Sequence, residues 1–377
     1  MKLLKHIENI KTDLRYNHTY VIAEIGINHN GDVQTALDLI DAAAKAKVNA
    51  VKFQKRNINN LYTEKILKDP NSAEWTFEYL LPILEEVELS KEDYYIIKDK
   101  CEDLGLDLIV TPFDMESCDF CAELDVTAFK IGSADMVNYD LIEKCFSYNK
   151  PVIISTGMWS ESEIAKSVDK FNQIKRENDF FVLLANSTYP TPYESINLNF
   201  LTKMKSMHNL IGYSGHERGT FIPVAAATLG ARIVEKHITF DTKQTGPDHK
   251  ASMLPEEFTD LVSNLRKLEL AMGSNKEVNQ AEILARETFA KSAYTNRDMK
   301  KGEILTKDDV YFTSPGKGIY IHEIESFYGK RLNCDIEKDN FLAKSHFEEI
   351  ILVKNWKIPK YKKRWGNDRK DKTNSCD

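Results

Sequence analysis

A chain of 377 residues, 42% hydrophobic and 10% aromatic, carries enough apolar material for one large domain and a small companion, which excludes a disordered or fibrous chain. Its 58 acidic residues outnumber the 51 basic ones for a net charge of −7, which argues against binding nucleic acid by phosphate neutralisation. No apolar run reaches the length of a membrane span, and the six cysteines lack framework spacing, so a cytoplasmic protein is expected.

The first twenty residues scatter charges through their only apolar stretch, unlike a secretion signal. Short runs rich in Val, Ile and Phe then recur at 20–26, 50–54, 106–112, 128–133, 151–156, 181–187, 210–215 and 232–237. They are apolar throughout rather than alternating, the pattern of parallel strands covered by helices. Amphipathic stretches such as 32–47 and 255–274 supply that cover. Eight such units in 250 residues or so match the size of an α/β (β/α)8 TIM barrel, expected over residues 1–273.

Residues 56–80 form a longer stretch between the second and third strands, an insertion expected over the barrel mouth. Cys118 and Cys121 make a single C-x-x-C in a helix-like setting. With no second pair they read as packing thiols. After Gly273 the pattern changes. Residues 274–290 read as a linker, and 291–349 hold short β-like pieces and turn signals, a small β-rich domain. The basic, core-poor stretch 350–377 is expected to be a disordered tail.

In such a barrel, chemistry belongs at the carboxyl ends of the strands. In order these ends offer Glu24, Lys52 with Gln54, Thr111, Lys130 with Ser133, Ser155, Ser187, Ser214 with His216, and His237. A purely structural barrel needs none of these polar groups. Two lysines and four serines around one mouth suit a small, multiply charged anion. Taken singly, Lys52 and Lys130 could be snorkelling side chains, and Glu24 a helix cap. A lone strand-end histidine is usually a satisfied hydrogen-bonding residue. Two on adjacent strands, with Glu24 across the ring, could instead converge on a divalent metal, and the spacing leaves both readings open.

Seven motifs in one order, "VIAEIGINHNGD", "VKFQ", "FKIGSAD", "IISTGM", "STYPTP", "IGYSGH" and "EKHITFDTKQTGPDHKASMLPEEF", resemble the sialic acid synthase family over roughly residues 18–346. The second domain resembles the small antifreeze-like (SAF) module that ends these enzymes. The resemblance implies a metal-dependent condensation of phosphoenolpyruvate with an N-acylated mannosamine-type sugar, by carbon–oxygen cleavage. The metal it implies is manganese, with magnesium or cobalt as alternatives, on His216 and His237. Lys52, Thr111, Lys130, Ser133, Ser155, Ser187 and Ser214 would hold phosphoenolpyruvate, with Glu24, Lys52 and Lys130 catalytic. Gln54, Asp135, Tyr189 and Asp248 would face the sugar. The resemblance also implies a homodimer with swapped SAF domains, and no nucleic-acid or membrane partner.

Three departures stand out. Asp135 replaces the Glu of many bacterial members, and Asn186 replaces a usual Thr. In the second domain "SPGKG" puts Ser314 where an Arg is common, leaving Lys317 as the cation at that loop. Two rival readings remain. One is a Schiff-base aldolase using a strand-end lysine. The other is a non-catalytic sugar-binding protein, which would make the polar strand ends coincidental.

Overall fold

The computed structural model of the chain describes residues 2–13, 15–69 and 77–347. These divide into two compact units, with the boundary between Ser274 and Asn275. In the first unit eight parallel strands close into a barrel in sequence order: β1 (Tyr20–Gly26), β2 (Ala50–Lys55), β3 (Asp107–Pro112), β4 (Ala128–Ile131), β5 (Val152–Ser155), β6 (Phe180–Ala185), β7 (Ile211–Gly215) and β8 (Ile233–His237). Closure is made by β1 against β8, where Glu24 pairs with His237.

The apolar runs conceal a period of two. Val21, Ala23 and Ile25 of β1 face outward into the main core shared with the helices. Tyr20 and Ile22 face the lumen, in a layer with Ala50, Ile109, Ala128, Ile153, Phe181, Leu183 and Ile233. Both faces are therefore apolar at the amino end except at Asp107, which accepts from Tyr20 Oη at 2.7 Å. The alternation turns chemical only at the last lumen-facing positions: Glu24, Lys52, Thr111, Lys130, Ser155, Ser214, Glu235 and His237. Strand direction alone thus sorts core from site.

The helix Lys2–Thr12 was not anticipated from the charge-scattered opening residues. It buries Leu3 and Ile7 against the lower lumen layer. The backbone amides of Lys2 and Leu3 donate to the Asp107 carboxylate at 3.0 and 2.7 Å, which satisfies first-turn donors that lack intrahelical acceptors. The expected insertion contains the short helices Ile58–Leu61 and Glu64–Lys68 and leads into the helix Phe77–Glu86. Its residues 70–76 lie outside the described residues, as does the expected tail 350–377.

Cys118 and Cys121 sit on the helix Met115–Glu123, fully buried in the outer core, as packing thiols would. Burial raises the Cys121 thiol well above its ordinary range, which makes it a poor nucleophile.

The second unit pairs β9 (Ser292–Thr295) with β10 (Val310–Thr313) as an antiparallel ladder. It packs its own core from Ala293, Met299, Leu305, Ile319, Phe327 and Leu342. The stretch expected as a plain linker carries the helix Gln280–Phe289, started by an Asn279 capping box. Gly316 N–H donates to the Glu287 carbonyl and Ser314 Oγ to that of Phe289, so this helix is stitched to the second unit.

Candidate active site

At the carboxyl ends of the strands the last lumen layer encloses a pocket of about 200 Å³. Lys52 Nζ lies 2.8 Å from Glu24 Oε2 and donates to Thr111 Oγ1 at 2.9 Å. Lys130 Nζ donates to Ser155 Oγ at 2.7 Å and stands 3.8 Å from Glu235 Oε1. Ser214 Oγ donates to that same Glu235 oxygen at 3.0 Å. Gln54 Nε2 donates to Glu24 Oε1 at 3.0 Å.

Apart from the half-buried Gln54 these groups are buried, and their ionisation follows from burial set against neighbouring charge. Desolvation pulls the Lys130 ammonium down to about 8, against the Glu235 carboxylate. Desolvation also opposes the Lys52 ammonium, but Glu24 and Glu235 outweigh it and its pKa rises. Glu235 is held below the usual carboxylate range because Lys130 and Lys52 outweigh its burial. Burial pushes Glu24 up in spite of Lys52, and burial with the Glu24 charge pushes Asp248 to about 7.

The two histidines meet. Their ring centres are 5.5 Å apart, with the Tyr189 ring stacked on His216 at 4.0 Å. His216 Nδ1 donates to the Asn186 carbonyl at 2.6 Å, which leaves its Nε2 lone pair free. His237 Nδ1 is buried without a hydrogen-bond partner, 3.7 Å from Asp248 Oδ2. Burial lowers His216 to about 4 and His237 well below its ordinary value, so both imidazoles are neutral at pH 7. Among the described residues no three His, Cys, Asp or Glu side chains converge as a complete ligand set. Two neutral imidazoles, one with an orphaned buried nitrogen, beside Glu24 and Asp248, still fit a divalent ion in an open site whose other positions belong to substrate or water.

Gly26 is the backbone device that makes room here. It adopts φ +56°, and a Cβ on it would lie 3.0 Å from Glu24 Oε1 and 3.2 Å from Gln54 Nε2. Gly157 does the same on the far side. Its N–H donates to Ser133 Oγ at 3.0 Å, and a Cβ would sit 2.3 Å from Ser187 Oγ and 2.7 Å from Ser133 Oγ. Gly157→Ala is therefore expected to push both hydroxyls away from the pocket while the fold survives, because side-chain oxygens can swing aside. The affinity of the pocket for inorganic phosphate should fall about 10-fold, the scale of one lost bond to a charged acceptor, and isothermal titration would read it.

The sequence-derived set divides cleanly. Glu24, Lys52, Gln54, Thr111, Lys130, Ser133, Ser155, Ser187, Tyr189, Ser214, His216 and His237 line the one pocket. Asp248 lines the adjoining pocket, which shares Gln54, Phe113 and Tyr189 with the first. Asp135 is not among the lining residues: it lies in a short 3-10 turn and accepts from Asn138 Nδ2 at 3.0 Å. Lys317 is an exposed residue of the second unit. Sequence reasoning missed Glu235, Phe113 and Arg56. The signal for Glu235 was present, two residues before His237 on the same strand face. A roomier groove of about 650 Å³, lined by Trp159, Phe200 and Lys203, lies beside the mouth. Its charges Lys203 and Glu161 pair with each other, so it brings no reactive groups together.

Comparison with known proteins agrees with this geometry. Residues 39–277 match the NeuB family and residues 290–348 the SAF domain. The N,N'-diacetyllegionaminic acid synthase of Legionella pneumophila is 35% identical over 87% of this chain and 94% of that protein. The human N-acetylneuraminate-9-phosphate synthase is 33% identical over 88% of this chain and 92% of its own. A crystal structure of N-acetylneuraminic acid synthetase from Leptospira borgpetersenii, in complex with citrate, superposes with a TM-score of 0.63 at 32% identity, covering 71% of this chain and 90% of that one.

Proposed function

The chain belongs to the NeuB family, and on that premise we propose that it condenses phosphoenolpyruvate with the open-chain aldehyde of an N-acylated mannosamine-type sugar. The products are a nine-carbon 2-keto-3-deoxy sugar acid and phosphate. The observation that carries this reading is the single lumen layer in which Lys52, Lys130, their hydroxyl partners and two neutral imidazoles face one pocket.

Phosphoenolpyruvate carries a charge of about −3, from a phosphate monoester and a carboxylate. The two lysines are already balanced by Glu24 and Glu235. A divalent cation on His216 and His237, manganese first and magnesium or cobalt as alternatives, would supply the missing charge and polarise the aldehyde oxygen. The chain's own groups do the rest. Lys52 and Lys130 hold the carboxylate and phosphate while carbon 3 of the enol attacks the aldehyde carbon. That bond leaves positive charge at carbon 2, beside the ionised Glu235. Glu235 Oε2 is buried without a partner and can take the proton of the water that adds there. The tetrahedral carbon then expels phosphate toward Lys130 and the serines, breaking the carbon–oxygen bond. Its hydroxyl proton leaves with the phosphate, and the proton taken by Glu235 returns to the alkoxide on the former aldehyde carbon.

The direct test is phosphate release from phosphoenolpyruvate with manganese and, side by side, N-acetylmannosamine, its 6-phosphate and 2,4-diacetamido-2,4,6-trideoxymannose. Silence with all three would overturn the reading. The relatives' names point to different sugars at nearly equal identity, so likeness alone does not choose among them. EDTA should silence the enzyme and manganese restore it.

The lowered Lys130 ammonium sets a pH limit. Above pH 8 or so the free enzyme loses this cation, so kcat/KM for phosphoenolpyruvate should fall about tenfold per pH unit, while a pH-independent profile from 7 to 9.5 would remove Lys130 from phosphate binding. The same lowered pKa favours the imine reading, in which a neutral Lys130 attacks a carbonyl. Covalent labelling by pyruvate and borohydride would support that reading instead.

We also infer a cytoplasmic homodimer in which the SAF domain caps the partner's barrel, with Lys317 reaching the sugar. Buried unbridged thiols support a reducing compartment. Among the described residues no helix is long and apolar enough to cross a membrane. Sedimentation at the mass of one chain would sink the dimer, and an unchanged sugar KM in Lys317→Ala would discard that lysine.

A further inference from the structure

Beside the reaction pocket lies a second one of about 350 Å³, continuous with it through Gln54, Phe113 and Tyr189. Its remaining walls are chiefly apolar, from Ile27, Leu61, Leu84 and Pro247. One cation lines it. Arg56 is only 5% exposed although it follows directly on β2. Its Nη2 donates to Gln54 Oε1, and its guanidinium carbon lies 4.8 Å from the centre of the Phe113 ring. Its Nη1 is buried with no hydrogen-bond partner.

A buried guanidinium donor without an acceptor is costly, so a protein that keeps one at a pocket wall has a use for it. The pocket's chemistry narrows the acceptor. A phosphate would bring two negative charges next to Asp248 and find one free donor in a largely apolar chamber. A chain of hydroxyls would find partners on Gln54, Tyr189 and Asp248 but would set polar groups against the apolar walls. An acylamino group suits both parts: its carbonyl oxygen accepts from Nη1 and its alkyl end lies against Ile27, Leu61, Leu84 and Pro247. Arg56 is also wired to the reaction centre, since Gln54 accepts from it and donates to Glu24, which in turn contacts Lys52.

We propose that this second pocket is an acyl-recognition subsite, in which Arg56 Nη1 donates to the amide carbonyl of the sugar's acylamino group. The proposal deepens the synthase reading and rests on it. It adds to Lys317 a second sugar-reading cation, on the loop after β2.

Two variants and one binding measurement test it. Arg56→Met should raise the KM for N-acetylmannosamine about 10- to 100-fold, the effect of losing a bond from a charged donor, while the KM for phosphoenolpyruvate moves less than about 3-fold. Arg56→Lys should recover part of the loss. Leu84→Phe touches no polar contact and narrows the chamber, so it should raise the KM for the N-butanoyl sugar more than that for the N-acetyl sugar. Saturation-transfer NMR on N-acetylmannosamine should show the acetyl methyl saturated by the wild-type protein and far less by Arg56→Met. An unchanged sugar KM in Arg56→Met, equal rises for both substrates, or an acetyl methyl that receives no saturation from the wild type would each overturn the subsite. The NMR readout needs no turnover. A wild-type protein that releases no phosphate with any sugar yet saturates the methyl through Arg56 would therefore sink the synthase reading and keep the subsite.

Discussion

His237→Ala is expected to release no measurable phosphate from phosphoenolpyruvate while melting close to the wild-type temperature. The two halves of that result have separate causes. His237 Nδ1 is buried with no hydrogen-bond partner, so removing the ring strands no neighbour. The lost packing is partly offset because an unsatisfied polar atom leaves with it. If the proposed metal sits on the two histidines, activity should fail because His216 alone is too little to hold a divalent ion against water, and equilibrium dialysis should show manganese retained by the wild type and released by the variant. A variant that keeps full turnover would remove His237 from the site. One that unfolds would make the ring a structural part of the barrel mouth.

Lys236→Met, one residue earlier, is expected to do the opposite: unfold easily, with its effect on chemistry following from that. Lys236 and Glu217 are both fully buried, with Nζ 3.0 Å from Oε1. Lys236 also donates to the Glu217 carbonyl, and Tyr213 Oη donates to Glu217 Oε2 at 2.5 Å. Lys236 points away from the lumen, so its partner lies on the loop that follows His216. The ion pair thus clips the strand bearing one histidine to the loop bearing the other. Deleting one partner of a buried pair leaves an uncompensated charge and costs about 3–5 kcal/mol, whereas replacing both by neutral groups costs far less. Urea melts of Lys236→Met and of Lys236→Met with Glu217→Gln should show that loss and its partial rescue. Equal stability of the single and double variants would mean the pair contributes little.

How much of this could be read from the sequence differs residue by residue. The barrel was legible because eight apolar runs separated by amphipathic stretches have few other solutions. The polar pocket was legible because a lysine or serine at the end of an apolar strand stands out from its surroundings. Glu235 and Lys236 were not, because "VEKH" reads as one charged cluster until the strand's alternation sends Glu235 inward and Lys236 outward. Arg56 gave no signal, since an arginine at the start of a polar insertion reads as solvated and only tertiary structure buries it. Asp135 was carried over on its place in a motif, and the turn it occupies spends its carboxylate on Asn138. Helix Lys2–Thr12 escaped notice because its apolar face is narrow, little more than Leu3 and Ile7.

That helix has a consequence for synthesis on the ribosome. Its contacts reach forward across the barrel sequence: the amides of Lys2 and Leu3 go to Asp107 of β3 and His6 Nε2 to the Arg232 carbonyl, while beyond the helix the amide of Thr19 donates to Glu269. Arg266 closes the same junction by donating to the Thr19 carbonyl at 3.0 Å. An isolated helix of 11 residues is marginal in water. At roughly 5–20 residues per second, β1 waits on the order of 10–50 s for β8 and the following helix to be made. Throughout that interval β1 has only β2 to pair with, and its other edge is bare. Until then the nascent barrel is most open to misassociation and to chaperones at β1, and it can become a closed object only when β8 returns to meet that strand.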